Sequence, residues 1–148
     1  MSLQQTATTS FKVELFQGIH NFGPTSPDTF KVALYTGAAN IGPATTVYST
    51  TNEVVGAGYT AGGNTLVIST SPTSGNNSLS VPTAFINFSN TSWTGATFTA
   101  RAALIYNSTE GNKSVAVLDF GSDKTVSNDT FQIIFPTADA NSAIVRIS

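Results

Sequence analysis

Short apolar runs of Val, Ile, Phe, Leu and Ala recur along this chain, each closed by Gly, Asn, Ser or Asp. That cadence constrains the fold more than anything else in the sequence. Short strands separated by turn residues at roughly 8–12-residue spacing are the signature of an antiparallel sandwich or barrel. The first run, Thr29–Thr36, has a period of two, with Phe30, Val32 and Leu34 on one face and Lys31, Ala33 and Tyr35 on the other. Further strands are expected at Leu66–Ser69, Ala84–Phe88, Thr97–Tyr106, Val115–Phe120, Thr130–Phe135 and Ala143–Ile147, with an eighth near Ser80–Val81. The stretches between them carry turn chemistry, among them Gly62-Gly63-Asn64, Asn90-Thr91-Ser92 and Ser127-Asn128-Asp129. The expected fold is mainly β: an antiparallel β-sandwich, jelly-roll or Ig-like, with one N-terminal α-helix. Its core is expected to hold Phe30, Val32, Leu34, Phe85, Leu104, Ile105, Val117, Phe120, Ile133 and Phe135.

The helix is expected over residues 10–22. Ser10 is placed to cap it, and Phe11, Leu15, Ile19 and Phe22 recur at helical spacing. In this reading Gly18 weakens the middle by about 1 kcal/mol relative to Ala, and Gly23-Pro24 ends it. Residues 1–9 are polar and unpatterned, so they read as a flexible N-terminal arm. Residues 10–148 then form a single domain, a size that buries a core without a staple. The stretch 37–63 holds six glycines and little periodicity. A loop that long is usually functional or faces a partner. Within it, Thr50 and Glu53 have the spacing of a capping box for a short helical turn.

Only 9% of the residues are charged, and mean hydropathy is +0.07. The outside is therefore built of Ser, Thr, Asn and Gly, which suits contact better than charge repulsion. Six Lys and Arg are scattered over the chain and the net charge is −2, so no nucleic-acid partner is expected. No apolar run approaches a membrane span, and no basic stretch followed by an apolar one marks a signal peptide; synthesis in a cytoplasm without export is expected. The chain has no cysteine, which excludes disulfides and thiolate metal sites.

Chemistry is sparse. The one histidine, His20, reads as a cap or a packed side chain, and no nucleophile elbow accompanies it. Asp119 and Asp123 have a spacing that a hydrolytic carboxylate pair can use, and with Asp129 they have hard oxygens for calcium. The simpler reading makes them a turn with Lys124 nearby. No catalytic residue, cofactor or metal is expected. Trp93 reads as a cap on the core, an interface anchor or a sugar platform. Phe11, Leu15, Phe16, Tyr48, Tyr59 and Trp93 are the candidate interface residues.

One further pattern runs through nearly the whole chain. It comprises SFKVELFQGIHNF from Ser10, DTFKVALYT from Asp28, TNEV from Thr51, GYTAGG from Gly58, FTARAALIYN from Phe98 and VLDFG from Val117. In this it resembles a family of small virion structural proteins of tailed double-stranded DNA bacteriophages. The resemblance implies a non-enzymatic particle component. The first expectation is a capsid cement or decoration protein on the outer shell, bound to the major capsid protein and self-associated as a homotrimer. The alternatives are a tail-associated structural or adaptor protein and a carbohydrate-binding module for host attachment.

Overall fold

Backbone pairing sorts the chain into two antiparallel sheets and one short helix in a computed structural model that describes residues 2–148. In chain order the elements are β1 (Thr6–Ala7), α1 (Thr9–Phe16), β2 (Phe30–Tyr35), β3 (Asn64–Thr65), β4 (Ile68–Asn76), β5 (Pro82–Phe88), β6 (Thr91–Asn107), β7 (Lys113–Ile133) and β8 (Val145–Ile147). The larger sheet runs β1-β7-β6-β2-β3 and the smaller β4-β5-β8. Strand takes 49% of the chain and helix 5%, so the expectation of a mainly β sandwich with one helix holds.

The sandwich core lies between the sheets. Phe30, Val32 and Leu34 of β2 and Ile105 of β6 meet Ile86 and Phe88 of β5, with Phe98, Ile133 and Phe135 continuing the same cluster. Phe22 stacks on Phe30 with ring centroids 4.3 Å apart and planes 6° off parallel. Of the expected core, Phe85 and Phe120 are only half-buried. The other eight are buried.

β2 is buried on both faces, not one. Ala33 and Tyr35 join Leu104, Tyr106, Val117 and Ile41 in a second cluster on the outer face of the larger sheet. Ala39, Ile41 and Tyr48 of the segment 37–63 cover that face as a third layer, and Val54 and Tyr59 then reach the sandwich core. The segment is tied down by single bridges, Tyr35 to Glu53, Val47 to Lys113 and Ala57 to Thr97. The expected helical turn within it is one tight turn, Glu53 N–H to Thr50 C=O at 3.1 Å, with Asn52 left-handed at φ 61°. At the layer's end Gly63 lies so close to β2 that a Cβ there would meet the Val32 carbonyl oxygen at 1.8 Å, and its φ is +66°. Only glycine fits.

The helix, of 8 residues, is shorter than the expected 10–22 and begins one residue earlier. Thr8, not Ser10, caps it, accepting from the Phe11 N–H. Gly18 does not weaken the middle; it ends the helix. Its N–H donates to Leu15 C=O at 3.2 Å and Ile19 N–H reaches back to Glu14 C=O at 3.1 Å, while Gly18 itself sits at φ +69°. That is a Schellman stop, with glycine in the left-handed position. The expected arm is also corrected over its described part. Thr6 and Ala7 pair with Val117 and Ala116, Leu3 bridges Ile41, and Thr8 is fully buried. Met1 lies outside the described residues.

Two expected turns are bulges instead. β7 runs on through Gly121 and Asn128, so two expected strands are one. Ala96 and Thr97 pair with Asp129 and Ser127, leaving Asn128 as an extra residue at φ 49°. Gly95, at φ +57°, lies in the matching irregularity of β6. Near Asp119 the register gains residues again: Ala102 pairs with Asp119 but Ala100 with Lys124. Bulges use the same residues as turns because both need left-handed backbone. Ser71-Pro72-Thr73-Ser74 likewise falls within β4, and the expected eighth strand at Ser80–Val81 is a turn, with Ser80 at φ 60°.

Candidate functional site

All four tyrosines of the chain converge on one buried carboxylate, Glu53. Tyr48 Oη donates to Glu53 Oε2 at 2.7 Å, Tyr59 Oη to Oε1 at 2.6 Å, and Gly62 N–H also to Oε1 at 2.7 Å. Tyr106 Oη donates to the Gly62 carbonyl at 2.8 Å and stacks on Tyr48, centroids 4.6 Å apart. Tyr35 Oη donates to the Ser49 carbonyl at 2.6 Å. Tyr59 Oη additionally accepts the Leu34 N–H at 2.9 Å, and Val54 N–H donates to Leu34 C=O. The network thus covers the β2 edge where β3 stops pairing, and it pins the loop onto the sheet. Burial pushes the Tyr106 phenol up to about 12, with the Glu53 charge adding to it. Tyr35, Tyr48 and Tyr59 are pushed up further, first by burial. Every polar atom named here has a partner inside the chain, so the cluster is a lock.

A second buried network fixes the helix. Glu14 receives His20 Nε2 at 2.8 Å and Lys113 Nζ at 2.9 Å. Asn107 Nδ2 lies 3.1 Å from His20 Nδ1 and donates to Asp28 Oδ2 at 2.8 Å, while its Oδ1 accepts the Thr109 and Glu110 N–H groups. Because the Asn107 amide is oriented by those two backbone donors, His20 Nδ1 is the acceptor and Nε2 carries the proton. Burial alone would raise the Glu14 carboxyl. The hydrogen bonds from Lys113 and His20 outweigh it and hold the group below its ordinary value. Both nitrogens of the imidazole are engaged, which makes His20 a packed tie.

Asp119 accepts the Gly121 N–H at 2.9 Å and Arg101 Nε at 3.1 Å, which together hold its carboxyl below the ordinary range. Asp123 and Asp129 are exposed on the bulged part of β7. Among the described residues no group of three or more His, Asp or Glu is arranged to hold a metal ion.

The six candidate interface residues do not form one surface. Trp93 is buried, packed 6.0 Å from both Tyr59 and Phe131, and its Nε1 has no partner. Tyr48 and Tyr59 are half-buried in the Glu53 lock, and Phe11 is buried under the helix. That leaves Leu15, half-buried, and Phe16, which is 95% exposed. Among the described residues, every other Phe, Tyr and Trp is buried or half-buried. Leu15 and Phe16 border a groove of about 770 Å³ between the helix, β1, β7 and β8, and a second hollow of about 410 Å³ shares Phe11, Leu15, Val145 and Ile147 with it. Ile147 and Val13 add exposed apolar surface nearby. The strand expected at Ala143–Ile147 is borne out over Val145–Ile147 as β8, though not its place on this surface; β1 was missed, because two residues of strand carry no periodic signal of their own.

No protein-family model matches the chain, and no curated protein or solved structure matches it either.

Proposed function

We propose that the chain is a non-enzymatic structural protein of a tailed-phage virion, a cement or decoration protein that binds the major capsid protein on the outer shell. The observation that carries this reading is the pairing of a low-charge surface with an exposed apolar rim, Phe16, Leu15 and Ile147, beside the groove. Exposed apolar surface rimmed by polar residues is what a protein contact requires. The two buried networks favour the same reading, since each spends its polar groups on holding loop or helix in place. The sequence resemblance to small virion proteins supplies the particle. Self-association as a homotrimer belongs to the proposal, because small cement proteins act at points of local shell symmetry.

A density map of the intact virion with this chain traced in it tests the location. Density on the shell is expected. Density confined to the tail turns the reading to a tail adaptor. Particles lacking the protein are expected to assemble and then break more readily on heating. Unchanged shell stability together with failed adsorption to cells argues for the tail or for a carbohydrate-binding role. Sedimentation from micromolar to near-millimolar concentration tests the trimer; a strict monomer throughout removes it.

A further inference from the structure

The sandwich is not closed along one side. There β1, the edge strand of the larger sheet, and β8, an edge strand of the smaller one, border the same groove of about 770 Å³, with α1 beside them. β1 covers β7 only at Ala116 and Val117, so the β7 edge is open again at Leu118, which also lines the groove. β8 pairs with β5 alone, through Val145 to Ile147. Open strand edges present unpaired N–H and C=O groups that template another strand. The lining is apolar at Leu15, Leu118, Val145 and Ile147. Its charged side chains are Lys12 and Arg146, both exposed and neither in an ion pair among the described residues, though Arg146 Nη1 donates to the Asn141 carbonyl.

We propose that this groove binds an extended segment of a partner protein, added as a strand to the β8 edge, with alternate apolar side chains in the groove and acidic residues of the segment meeting Lys12 on one side and Arg146 on the other. Strand addition takes affinity from main-chain hydrogen bonds and specificity from pockets for alternate side chains. These two cations, neither neutralised by a carboxylate, add charge complementarity for an acidic partner. A second copy of this chain fits less well. Two grooves set face to face bring like charges together. Of the chain's other open edges, β3 is two residues long, and β4 reads ISTSPTSGN, without a carboxylate and with Pro72 removing a donor. The β7 edge beyond Leu118 has Asp119, already held by Arg101 and Gly121, and exposed Asp123 and Asp129, but its register is broken by bulges and it makes a poor template for a strand. The proposal stands on the groove and does not need the virion reading.

The test uses an array of dye-labelled peptides of about ten residues, varied in sequence, against the full chain, followed by anisotropy titration of the best binders. Enriched peptides are expected to alternate apolar residues, to contain Asp or Glu, and to exclude central proline. The double variant Lys12→Glu with Arg146→Glu is expected to weaken them by at least about tenfold and to gain affinity for the Lys-substituted versions. Hydrogen exchange at Val145–Ile147 is expected to slow when peptide binds. Binders that tolerate central proline, lack any carboxylate preference or ignore the charge reversal overturn the proposal. So does an array without binders, and if the reversal then changes sedimentation, the groove is filled by a second copy. Peptide binding without attachment to phage shells leaves this inference standing and removes the virion reading.

Discussion

The two sides of the larger sheet are finished in opposite ways. Its outer face is covered by part of the 37–63 segment, which Glu53 and the four tyrosines tie to the sheet through hydrogen bonds made within the chain. The seam beside α1 is left unsealed, with two strand edges, an apolar groove and a bare phenylalanine. The first is what a chain does with surface it must keep to itself. The second is what it leaves for something else. Most of the segment is exposed, so few of its residues help to hold it; the buried Glu53 and the tyrosines around it are the physical reason that such a long glycine-rich segment is ordered.

The comparison breaks most plainly if the lock is not what holds the loop. Glu53→Ala removes an acceptor of three hydrogen bonds and leaves two phenols and a peptide N–H without it. The expected cost is about 3–5 kcal/mol, the range for breaking a buried charged group's contacts. Denaturant unfolding measures it, and limited proteolysis is expected to cut first within 37–63. A variant as stable as the parent with a protected loop removes the lock.

Alkali probes the same side. The phenols ordinarily ionise near 10, and Tyr106 is pushed up to about 12 by burial. Tyr35, equally buried, is raised in the same direction. A raised value in the folded state means that the stabilising contribution is complete below pH 10 and is lost as pH rises towards the folded value. In that window each of the two buried phenols costs up to about 1.4 kcal/mol of stability per pH unit. Ultraviolet titration is expected to show these tyrosines ionising together with unfolding, in one cooperative step. Graded ionisation of all four near pH 10 in a chain that is still folded contradicts the burial.

Much of the fold was legible because strands show as short apolar runs bounded by turn residues. β2, the centre of β6 and the start of β7 are such runs, and they are buried on both faces, which is more than the period of two read in β2 implied. The errors share one physical cause. Gly18, Gly95, Gly121, Asn128 and Ser80 all sit at positive φ. A left-handed residue in sequence announces only that the backbone bends, not whether it ends a helix, turns a hairpin or bulges inside a continuing strand. Gly18 therefore read as a weak point in a longer helix, and Asn128 as a turn between two strands. The tyrosine lock was illegible for a different reason. Residues 35, 48, 59, 106 and 53 come together only through the sheet pairing, and no spacing along the chain encodes that. Tyr48, Tyr59 and Trp93 were singled out as rings with polar tips. The structure employs those tips, or in Trp93 the ring, inward.

Gly18→Ala turns that lesson into a sign. In the interior of a helix the substitution stabilises by about 1 kcal/mol. At a Schellman stop it forces a side chain into left-handed backbone and costs about 1–2 kcal/mol instead. No neighbouring atom lies within 4 Å of the added Cβ, so sterics with the rest of the fold do not blur the result. A fall in melting temperature is expected. A rise restores the longer helix, and with it a different wall for the groove.

The smallest effect on stability carries the most weight for function. Phe16 is 95% exposed at the end of α1, so its ring contributes little to the folded chain's own core. Phe16→Ser is expected to change unfolding free energy by less than about 0.5 kcal/mol, the ordinary range for a surface site. An aromatic anchor at the rim of a contact is a different matter, because truncating one typically costs more than about 1–2 kcal/mol of binding. Stability and association are therefore expected to separate at this residue, whereas at Glu53 they move together through the fold. The pair of measurements is thermal unfolding of the isolated chain and its binding to purified phage shells. Loss of shell binding at unchanged melting temperature places Phe16 at the contact. Unchanged binding moves the contact off the helix and leaves the seam's exposed phenylalanine without a role in attachment.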